Sequence, residues 1–436
     1  MAPTSFFHRS IQSSIALAIF CCAFIPALAQ NKKAVFVIVD GIPADLIEKL
    51  PTPNLDLITK EGGYARALAG GGRGTYTETP TISAVGYNTV LTGTWVNKHN
   101  VWDNDIAHPN YNYPTIFRLF KDQYPAKKTA VFSSWLDNRT KLIGEGLTQT
   151  RQIKMDFAYD GLELDTIQFP HDKERMFMKN IDNSVTDKAA ETIREIAPDL
   201  SWVYLEFTDD MGHMYGDSEP YYAAINEMDR QMGRLWAAIQ YRQQQHGEEW
   251  QIYITTDHGR DSATGKGHGG QSDREKLAWI VTNAKGLNSY FKTGQSSQAD
   301  IMPSLARFLS IDIPTSIARE VDGVPLFGDI SLYNPRLKKM ENEIVINWTP
   351  AKRSGWVNIY ISSTNHFRTG GRDEYQLIKK VKLNAGSATL NLPENLTDSF
   401  FKIVLEGEKK CGECVGGERR LMGDGGWRMG DGGWGI

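Results

Sequence analysis

The chain has little cysteine, no excess of positive charge and no long apolar segment beyond its N-terminus. It contains four cysteines in 436 residues, and Cys21 and Cys22 fall within the apolar N-terminal segment. The other pair, Cys411 and Cys414, can form a local disulfide but not a four-ligand zinc site. A formal net charge of −4 argues against a basic nucleic-acid-binding surface, so no binding of a nucleic-acid duplex is expected.

The N-terminal residues follow the order of a secretory signal. Arg9 precedes an apolar stretch from Ile15 to Ile25, which is followed by Pro26 and by Ala27-Leu28-Ala29. This order predicts cleavage after Ala29 and a secreted protein, located in the periplasm or outside the cell. The apolar stretch is short for a membrane span, so we expect no transmembrane span in the mature chain. A retained N-terminal anchor is the alternative.

An α/β domain is predicted from the alternation of apolar and helix-like stretches. Nearly continuous apolar runs are typical of strands that are buried on both faces of a parallel sheet. Such runs are Ala34–Val39, Thr129–Phe132, Trp202–Phe207, Gln251–Thr256 and Leu277–Thr282. Helix-like stretches are Asn183–Glu195, Tyr221–Gln244 and Ala299–Leu309. This order predicts a central, mostly parallel sheet flanked by helices.

The C-terminal part of the chain has a different pattern. Beyond about Asp312–Pro335, short β-rich runs separated by turn residues predict a small antiparallel, β-sandwich-like module. The runs are Glu343–Trp348, Trp356–Ser362, Tyr375–Leu383, Ala388–Leu392 and Phe400–Leu405. A duplicated Gly-rich hexamer follows, and its low apolar content predicts disorder. We therefore divide the chain into a signal peptide (1–29), a catalytic domain (30–332), a β-rich accessory module (338–407) and a Gly-rich tail (408–436).

Three aspartates follow predicted strands: Asp40, Asp209 and Asp257. Because the carboxyl ends of parallel strands lie along one edge of the sheet, these side chains should meet there. Three carboxylates on one edge repel each other unless cations lie between them. A single aspartate after a strand is more often a turn residue or a helix cap, but three together favour a metal site.

Histidines accompany two of these aspartates. His258 is adjacent to the third aspartate, His213 lies four residues after the second, and His268 lies in a Gly-rich loop. Mixed carboxylate and imidazole ligands suit zinc or a similar first-row ion, whereas all-oxygen sites suit calcium or magnesium. Each motif is weak by itself, since a lone histidine is more often a satisfied polar residue. We interpret Asp210 as structural, or as a residue behind the ligands, and not as a ligand.

Ser83 is the candidate nucleophile. The stretch from Thr79 to Gly93 looks like a loop that enters a helix at about Ser83, where a hydroxyl would lie at the positive end of the helix dipole. An ordinary helix cap is the alternative. The sequence has no Gly-x-Ser-x-Gly elbow, which disfavours a Ser-His-Asp hydrolase. A metal ion could lower the pKa of the hydroxyl without a base.

Taken together, these residues resemble the alkaline phosphatase superfamily, and within it the type I phosphodiesterase/nucleotide pyrophosphatase family. The resemblance runs from about Lys33 to Phe327 and implies an alkaline phosphatase-like fold for the catalytic domain. The matching pieces, in chain order, are Val39-Asp40-Gly41, Leu91-Thr92-Gly93, Asn100-Val101-Trp102-Asp103-Asn104, Asp209-x-x-Gly212-His213, Thr256-Asp257-His258-Gly259 and Gly267-His268-Gly269.

The resemblance also implies a set of site residues and two divalent metal ions, with zinc as the expected metal. One ion would be held by Asp40, Ser83, Asp257 and His258, and the other by Asp209, His213 and His268. Ser83 would attack phosphorus to give a covalent phosphoryl or nucleotidyl enzyme. Asn104, with the Ser83 and Ala84 backbone, would stabilise the phosphate oxygens. The implied partner is a small-molecule phosphate ester or nucleotide.

Two other functions are compatible with the sequence. Ser83-Ala84-Val85-Gly86 departs from the family, which typically has threonine, an aromatic residue and Pro-Asn, and Ser-Ala is closer to phosphomonoesterases. An alkaline phosphomonoesterase is therefore one alternative, although Arg139 and Lys141 do not align with the Lys-x-Arg phosphate clamp of such enzymes. The other is a catalytically inactive secreted binding protein that presents the β-rich module. A sulfatase is disfavoured because the Cys/Ser-x-Pro-x-Arg motif is absent.

Overall fold

A computed structural model describes Met1 and residues 31–340, 343–391 and 400–407, together with the backbone of 412–417. Apart from Met1, the predicted signal peptide lies outside these residues, as does the predicted tail except for that backbone segment. Within the described ranges, no helix combines the length and the apolar composition needed to cross a bilayer.

An eight-stranded sheet forms the centre of the larger domain. Its strands are β1 (Lys32–Val39), β2 (Gly63–Leu68), β3 (Thr129–Ser133), β4 (Phe157–Tyr159), β5 (Leu200–Leu205), β6 (Glu249–Thr255), β7 (Leu277–Thr282) and β8 (Ser296–Ser297). They lie in the order β4-β3-β5-β1-β6-β7-β2-β8. The strands from β4 to β6 are parallel, whereas β7 runs antiparallel to both of its neighbours. The prediction of a mostly parallel central sheet is confirmed.

Helices cover both faces of this sheet. They are α1 (Ala44–Lys49), α2 (Pro53–Glu61), α3 (Ser83–Thr92), α4 (Val96–His99), α5 (Ile116–Gln123), α6 (Met176–Glu195), α7 (Phe207–Tyr215), α8 (Glu219–His246), α9 (Ser289–Lys292), α10 (Ile301–Phe308) and α11 (Thr315–Ala318). Short helical turns lie at Asn138–Ile143, Thr148–Thr150, Leu162–Leu164, Gln298–Asp300, His366–Thr369 and Leu383–Ala385. One apolar core contains residues of α3, α5 and α10, and the other contains residues of α1, α2, α6 and α8.

Strand β1 shows why a continuous apolar run predicts a strand between two cores. Successive side chains of a strand point to opposite faces of the sheet. Phe36 and Ile38 accordingly belong to the core on the α3 face, whereas Val35 and Val37 belong to the core on the α8 face. Because both faces are buried, no position of the central part of the strand favours a polar side chain.

The prediction is wrong in its account of where two elements begin and end. The strand predicted to lead directly to Asp209 is shorter than expected. It ends at Leu205, and Asp209 lies in the first turn of α7. Phe207 extends the apolar run because it is buried beneath the helix. Helix α6 begins at Met176, seven residues before the predicted start, and the Asp172 carboxylate caps it by accepting the N–H groups of Met176 and Phe177, each at 2.9 Å.

The C-terminal module consists of two antiparallel sheets, as expected for a small β-rich unit. Its strands are β9 (Leu332–Met340), β10 (Glu343–Pro350), β11 (Trp356–Ser362), β12 (Gln376–Lys382), β13 (Ser387–Asn391), β14 (Phe401–Gly407) and β15 (Gly412–Gly417). The sheet orders are β13-β10-β9 and β12-β11-β14-β15. A separate apolar core, which includes Ile346 and Ile359, lies between them. The pairing of β15 with β14 differs from the disorder expected for 408–436.

Candidate active site

Residues from four distant segments meet at the carboxyl edge of the parallel strands. Strand β1 lies between β5 and β6, so the segments that follow these three strands are neighbours. Asp40 follows β1, Asp257 lies just beyond β6, and Asp209 lies in α7 after β5. Helix α3 brings Ser83 to the same edge. All but Asp257 line a cleft of about 760 Å³, a size typical of small-molecule sites.

The first group of possible metal ligands is Asp40, Asp257 and His258, and all three are buried. The Nε2 atom of His258 lies 3.2 Å from Asp257 Oδ2 and 3.4 Å from Asp40 Oδ1. Asp40 Oδ1 and Asp257 Oδ2 have no hydrogen-bond partner among the described residues. Buried polar atoms without partners are rare and costly in folded proteins, so this group calls for a cation.

The electrostatics of this group lead to the same conclusion. Burial raises the pKa of Asp40 well above its ordinary value, and the Asp257 carboxylate adds to the shift. Burial also raises the pKa of Asp257 to about 7. Burial lowers the pKa of His258 well below its ordinary range, so its imidazole is held neutral. Two carboxylates and a neutral imidazole are a donor set that fits a divalent first-row ion.

The second group is Asp209, His213 and His268. Asp209 and His213 are four residues apart on α7, which places them on one face of the helix, with His213 Nε2 3.2 Å from Asp209 Oδ2. The Nε2 atoms of His213 and His268 lie 3.0 Å apart. His268 Nδ1 donates to the Thr81 carbonyl at 2.8 Å, which leaves its Nε2 facing the group.

Arg260 supports this second group, and sequence reasoning missed it. The side chain is fully buried and donates to the carbonyls of Gly41 (2.9 Å), Lys266 (2.9 Å) and Asp209 (2.8 Å), and to the Asp209 carboxylate. Burial alone would raise the pKa of Asp209, but the Arg260 guanidinium, His213 and His268 together outweigh burial, and the pKa lies well below the ordinary value. No local signal could have found it, because the sequence does not show which arginines are buried.

Two tyrosines and Asp210 complete the surroundings of the two groups. The Tyr204 hydroxyl donates to Asp40 Oδ2 at 2.8 Å, and the Tyr87 hydroxyl donates to the same oxygen. These bonds orient the carboxylate and leave its other oxygen free. No local sequence pattern predicts them. Asp210 belongs to neither group and forms an ion pair with Arg175 at 2.7 Å.

Ser83 is the first residue of α3, and its side chain does not cap the helix. The preceding residue, Ile82, occupies the cap position. In the described part of the chain the Ser83 hydroxyl has one hydrogen-bonding contact, with His258 Nε2 at 3.4 Å. The hydroxyl therefore lies beside the first ligand group and at the amino end of a helix, where an anion is favoured.

Asn104 lies next to Ser83 and lines the same cleft. Its Oδ1 accepts the Ala84 N–H at 3.0 Å, so this N–H, expected to contact substrate, is engaged by Asn104 here. That bond leaves the Asn104 amide NH2 as the donor toward the cleft. Arg139 and Lys141 lie elsewhere: Arg139 pairs with Asp160 at 2.7 Å, and Lys141 with Asp137 at 2.8 Å.

Several known proteins are similar to this chain in sequence. Ectonucleotide pyrophosphatase/phosphodiesterase family member 7 of Mus musculus is 26% identical over 275 residues, which are 59% of this chain and 57% of that protein. The venom phosphodiesterase CdcPDE of Crotalus durissus collilineatus is 25% identical over 234 residues, which are 50% of this chain and 25% of that protein. The chain thus spans little more than half the length of the first and a quarter of the second.

Among solved structures, murine ectonucleotide pyrophosphatase/phosphodiesterase 5 is 13% identical, with a TM-score of 0.44, and the match covers 65% of this chain and 96% of that chain. The model of the family described as type I phosphodiesterase / nucleotide pyrophosphatase matches residues 34–298, from the central strand β1 to the turn before α10. This match covers more than half of the chain and both ligand groups, and it confirms the resemblance seen in the motifs. The chain belongs to the type I phosphodiesterase/nucleotide pyrophosphatase family.

Proposed function

We propose that this protein is a secreted two-metal hydrolase of phosphate esters, with Ser83 as its nucleophile. The observation that carries the proposal is the position of the Ser83 hydroxyl, in a cleft, beside two separate groups of carboxylate and imidazole ligands. Family membership supports hydrolysis of phosphate esters as the chemistry. The N-terminal signal pattern and the similarity to ectonucleotide pyrophosphatase/phosphodiesterase relatives support secretion.

The donor sets fit a pair of divalent ions, and zinc suits their mixture of carboxylate and imidazole. Asp40, Asp257, His258 and the Ser83 oxygen would hold one ion, and Asp209, His213 and His268 would hold the other. When bound, such ions lower the pKa of a coordinated hydroxyl and neutralise charge on the phosphate oxygens. Arg260, Tyr87 and Tyr204 would keep the carboxylates in place.

Ser83 would act in two displacements at phosphorus. In the first, the Ser83 oxygen bonds to phosphorus and gives up its proton to solvent, while the leaving oxygen departs with the electron pair of its P–O bond. In the second, water attacks the same phosphorus, the Ser83 oxygen departs and regains a proton, and the phosphate product is released. The Asn104 amide NH2 would donate to a non-bridging oxygen, whose charge grows in each transition state.

The shape of the cleft favours a phosphodiester or a nucleotide over a simple monoester. Beyond the ligand groups the lining includes Trp135, His171 and Phe177, and His171 stacks on Phe177 with ring centroids 4.1 Å apart. These walls leave room for a second substituent on phosphorus. The Ser83-Ala84 pair keeps an alkaline phosphomonoesterase as the second candidate.

One preparation assayed with three substrates tests the proposal. We expect bis-p-nitrophenyl phosphate and a nucleotide diphosphate to be hydrolysed at least about tenfold more efficiently than p-nitrophenyl phosphate, because only they fill the wider cleft. Exhaustive chelation should abolish turnover and zinc should restore it. The reverse preference would favour the phosphomonoesterase, whereas no turnover of any ester in zinc-replete protein would favour an inactive binding protein.

Gly86 provides a test of how closely Ser83 must approach the first ligand group. A Cβ at this position of α3 would lie 2.9 Å from both the Cβ and the carbonyl oxygen of Asp257. Gly86→Ala should push α3 away, lower stability by about 1–3 kcal/mol and reduce turnover by roughly tenfold or more. Thermal unfolding and hydrolysis of bis-p-nitrophenyl phosphate measure the two effects.

The matched control is Gly233→Ala in α8. Its added Cβ would crowd Oδ1 of the Asn54 side chain, on the opposite side of the sheet from α3. It should therefore lower stability without changing the turnover of folded protein. Equal turnover in both variants would show that catalysis does not depend on the close packing of α3 against Asp257.

A further inference from the structure

The loop that carries Asn104 is long, and short-range hydrogen bonds lie within it, such as that from the Asn100 side-chain amide to the His108 carbonyl at 2.8 Å. It runs from residue 100 to residue 114, between α4 and α5, without a helix or strand of its own. Asn104 is exposed to the cleft. A loop of this length holds a side chain in one place only if other elements fix it at several points.

The start of the loop is fixed to the nucleophile helix by His99. This fully buried side chain accepts the Val101 N–H at Nδ1 (3.2 Å), and its Nε2 lies 3.2 Å from the Thr89 hydroxyl of α3. Burial lowers the pKa of His99 to about 3, so the ring is neutral and Nε2 carries its proton. The first residues of the loop are therefore held in register with the helix that begins at Ser83.

The far end of the loop is held by the C-terminal module. The side-chain amides of Asn110 and Asn112 both donate to the carbonyl oxygen of Arg368, at 2.9 and 3.1 Å. The Tyr113 ring packs against the Phe367 ring with centroids 5.1 Å apart, and both rings are buried. Arg368 and Phe367 belong to the single helical turn His366–Thr369 of the module.

That turn is itself anchored to the catalytic domain through buried charges. The Asp373 carboxylate accepts the His366 N–H at 2.7 Å and pairs with Lys402. Lys402 also pairs with Glu320 of the catalytic domain at 2.6 Å. The Glu320 carbonyl in turn accepts Lys98 Nζ of α4 at 2.7 Å. A continuous series of contacts thus connects α4 to the module, and the module to the loop that follows α4.

We propose that the β-rich module is part of the architecture of the active site, because its turn at 366–369 braces the loop 100–114 and holds Asn104 toward the phosphate. The proposal rests on the role given to Asn104 under the proposed function. Asn110, Asn112 and Phe367 are then positioning residues, which act on substrate only through Asn104. The module is a structural partner of the loop and not an independent binding domain.

The test replaces the two amide donors without changing their shape. Asn110→Asp with Asn112→Asp places carboxylates opposite the Arg368 carbonyl, yet the Asn110 position can still accept the Asn112 N–H, now at 3.1 Å. We expect kcat for bis-p-nitrophenyl phosphate to fall about tenfold with little change in KM, since the group that moves acts mainly on the transition state. Asn31→Asp with Asn384→Asp is the control, because both side chains are exposed and the charge change is the same. It should keep wild-type turnover.

A double-mutant cycle with Asn104→Ala distinguishes positioning from general damage. In the Asn104→Ala background the Asn110/Asn112 change should cost less than about twofold, because the group it positions is gone. The proposal would be rejected if the Asn110/Asn112 change lowered kcat tenfold in both backgrounds, or if it did not lower kcat in the wild-type background. A wild type that hydrolyses none of the three esters would instead refute the proposed function. In that case hydrogen exchange of the Asn110/Asn112 variant tests whether the module positions the loop. Faster amide exchange of residues 101–106 than in the wild type, with unchanged exchange in α3, would support the proposal. Unchanged exchange of the loop would reject it.

Discussion

Replacing Ser83 with alanine should reduce turnover of bis-p-nitrophenyl phosphate by at least about three orders of magnitude, because removing a nucleophile leaves only binding and electrostatic stabilisation. The fold should be unaffected. In the described part of the chain the Ser83 hydroxyl contacts only His258 Nε2, at 3.4 Å, and it does not cap α3. The variant therefore loses little that stabilises the protein.

The measurement combines turnover, thermal unfolding and a chemical trap. Acid quenching of wild-type protein during turnover of this diester should leave a p-nitrophenyl phosphoryl group attached to the Ser83 oxygen, detectable by mass spectrometry, and Ser83→Ala should show no adduct. Ser262→Ala, an exposed serine in the loop before His268, is the control and should behave as wild type. If Ser83→Ala turned over substrate at the wild-type rate, Ser83 would have no part in the mechanism.

The strands and the two ligand groups could be predicted from sequence because each leaves a local mark. Strand β1 is buried on both faces and therefore reads as a continuous apolar run. The structure brings the predicted ligands together as two separate groups, and the family match confirms the resemblance that the motifs indicated. Their roles as ligands, like the role of Ser83, stay predictions.

The residues behind the ligands could not be predicted, because their contacts depend on the approach of distant segments. Arg260 reaches the carbonyl of Gly41, and Tyr204 reaches Asp40, across the edge of the sheet. Nothing in the neighbouring sequence marks either contact. Helix α7 was missed for a related reason, since the buried Phe207 prolongs the apolar run beyond the end of β5. The contacts of the module with loop 100–114 likewise join segments that are far apart in sequence.

Replacing Asp257 with asparagine should have opposite effects on the metal-free and the metal-loaded protein. Asp257 Oδ1 accepts the Gly41 N–H at 3.0 Å, and an asparagine oxygen can keep this bond. Among the described residues, Asp257 Oδ2 has no hydrogen-bond partner, and neither does Asp40 Oδ1 in the same buried group. An amide NH2 in place of Oδ2 removes one buried charge and offers a donor to the other carboxylate. Relief of these unsatisfied atoms should stabilise the chelated protein by about 1–3 kcal/mol.

With metal present the same substitution removes a charged ligand, so affinity and turnover should each fall at least about 100-fold, since even residues behind the ligands are worth 10- to 100-fold. A hundredfold loss of affinity removes about 2.7 kcal/mol of the stabilisation that zinc gives the folded state. Thermal unfolding with chelator and with zinc measures both effects without relying on activity.

Asp300→Asn is the matched control for this experiment, because Asp300 is equally buried but both of its oxygens have partners. They accept Val324 N–H at 2.7 Å and the Tyr290 hydroxyl at 2.9 Å. Removing this charge should lower stability in chelator and leave the zinc-induced shift unchanged. If Asp257→Asn also destabilised the chelated protein and kept the full zinc shift, Asp257 would be an ordinary buried carboxylate. Repulsion between the Asp257 and Asp40 carboxylates would then not be the reason that a cation binds at this edge of the sheet.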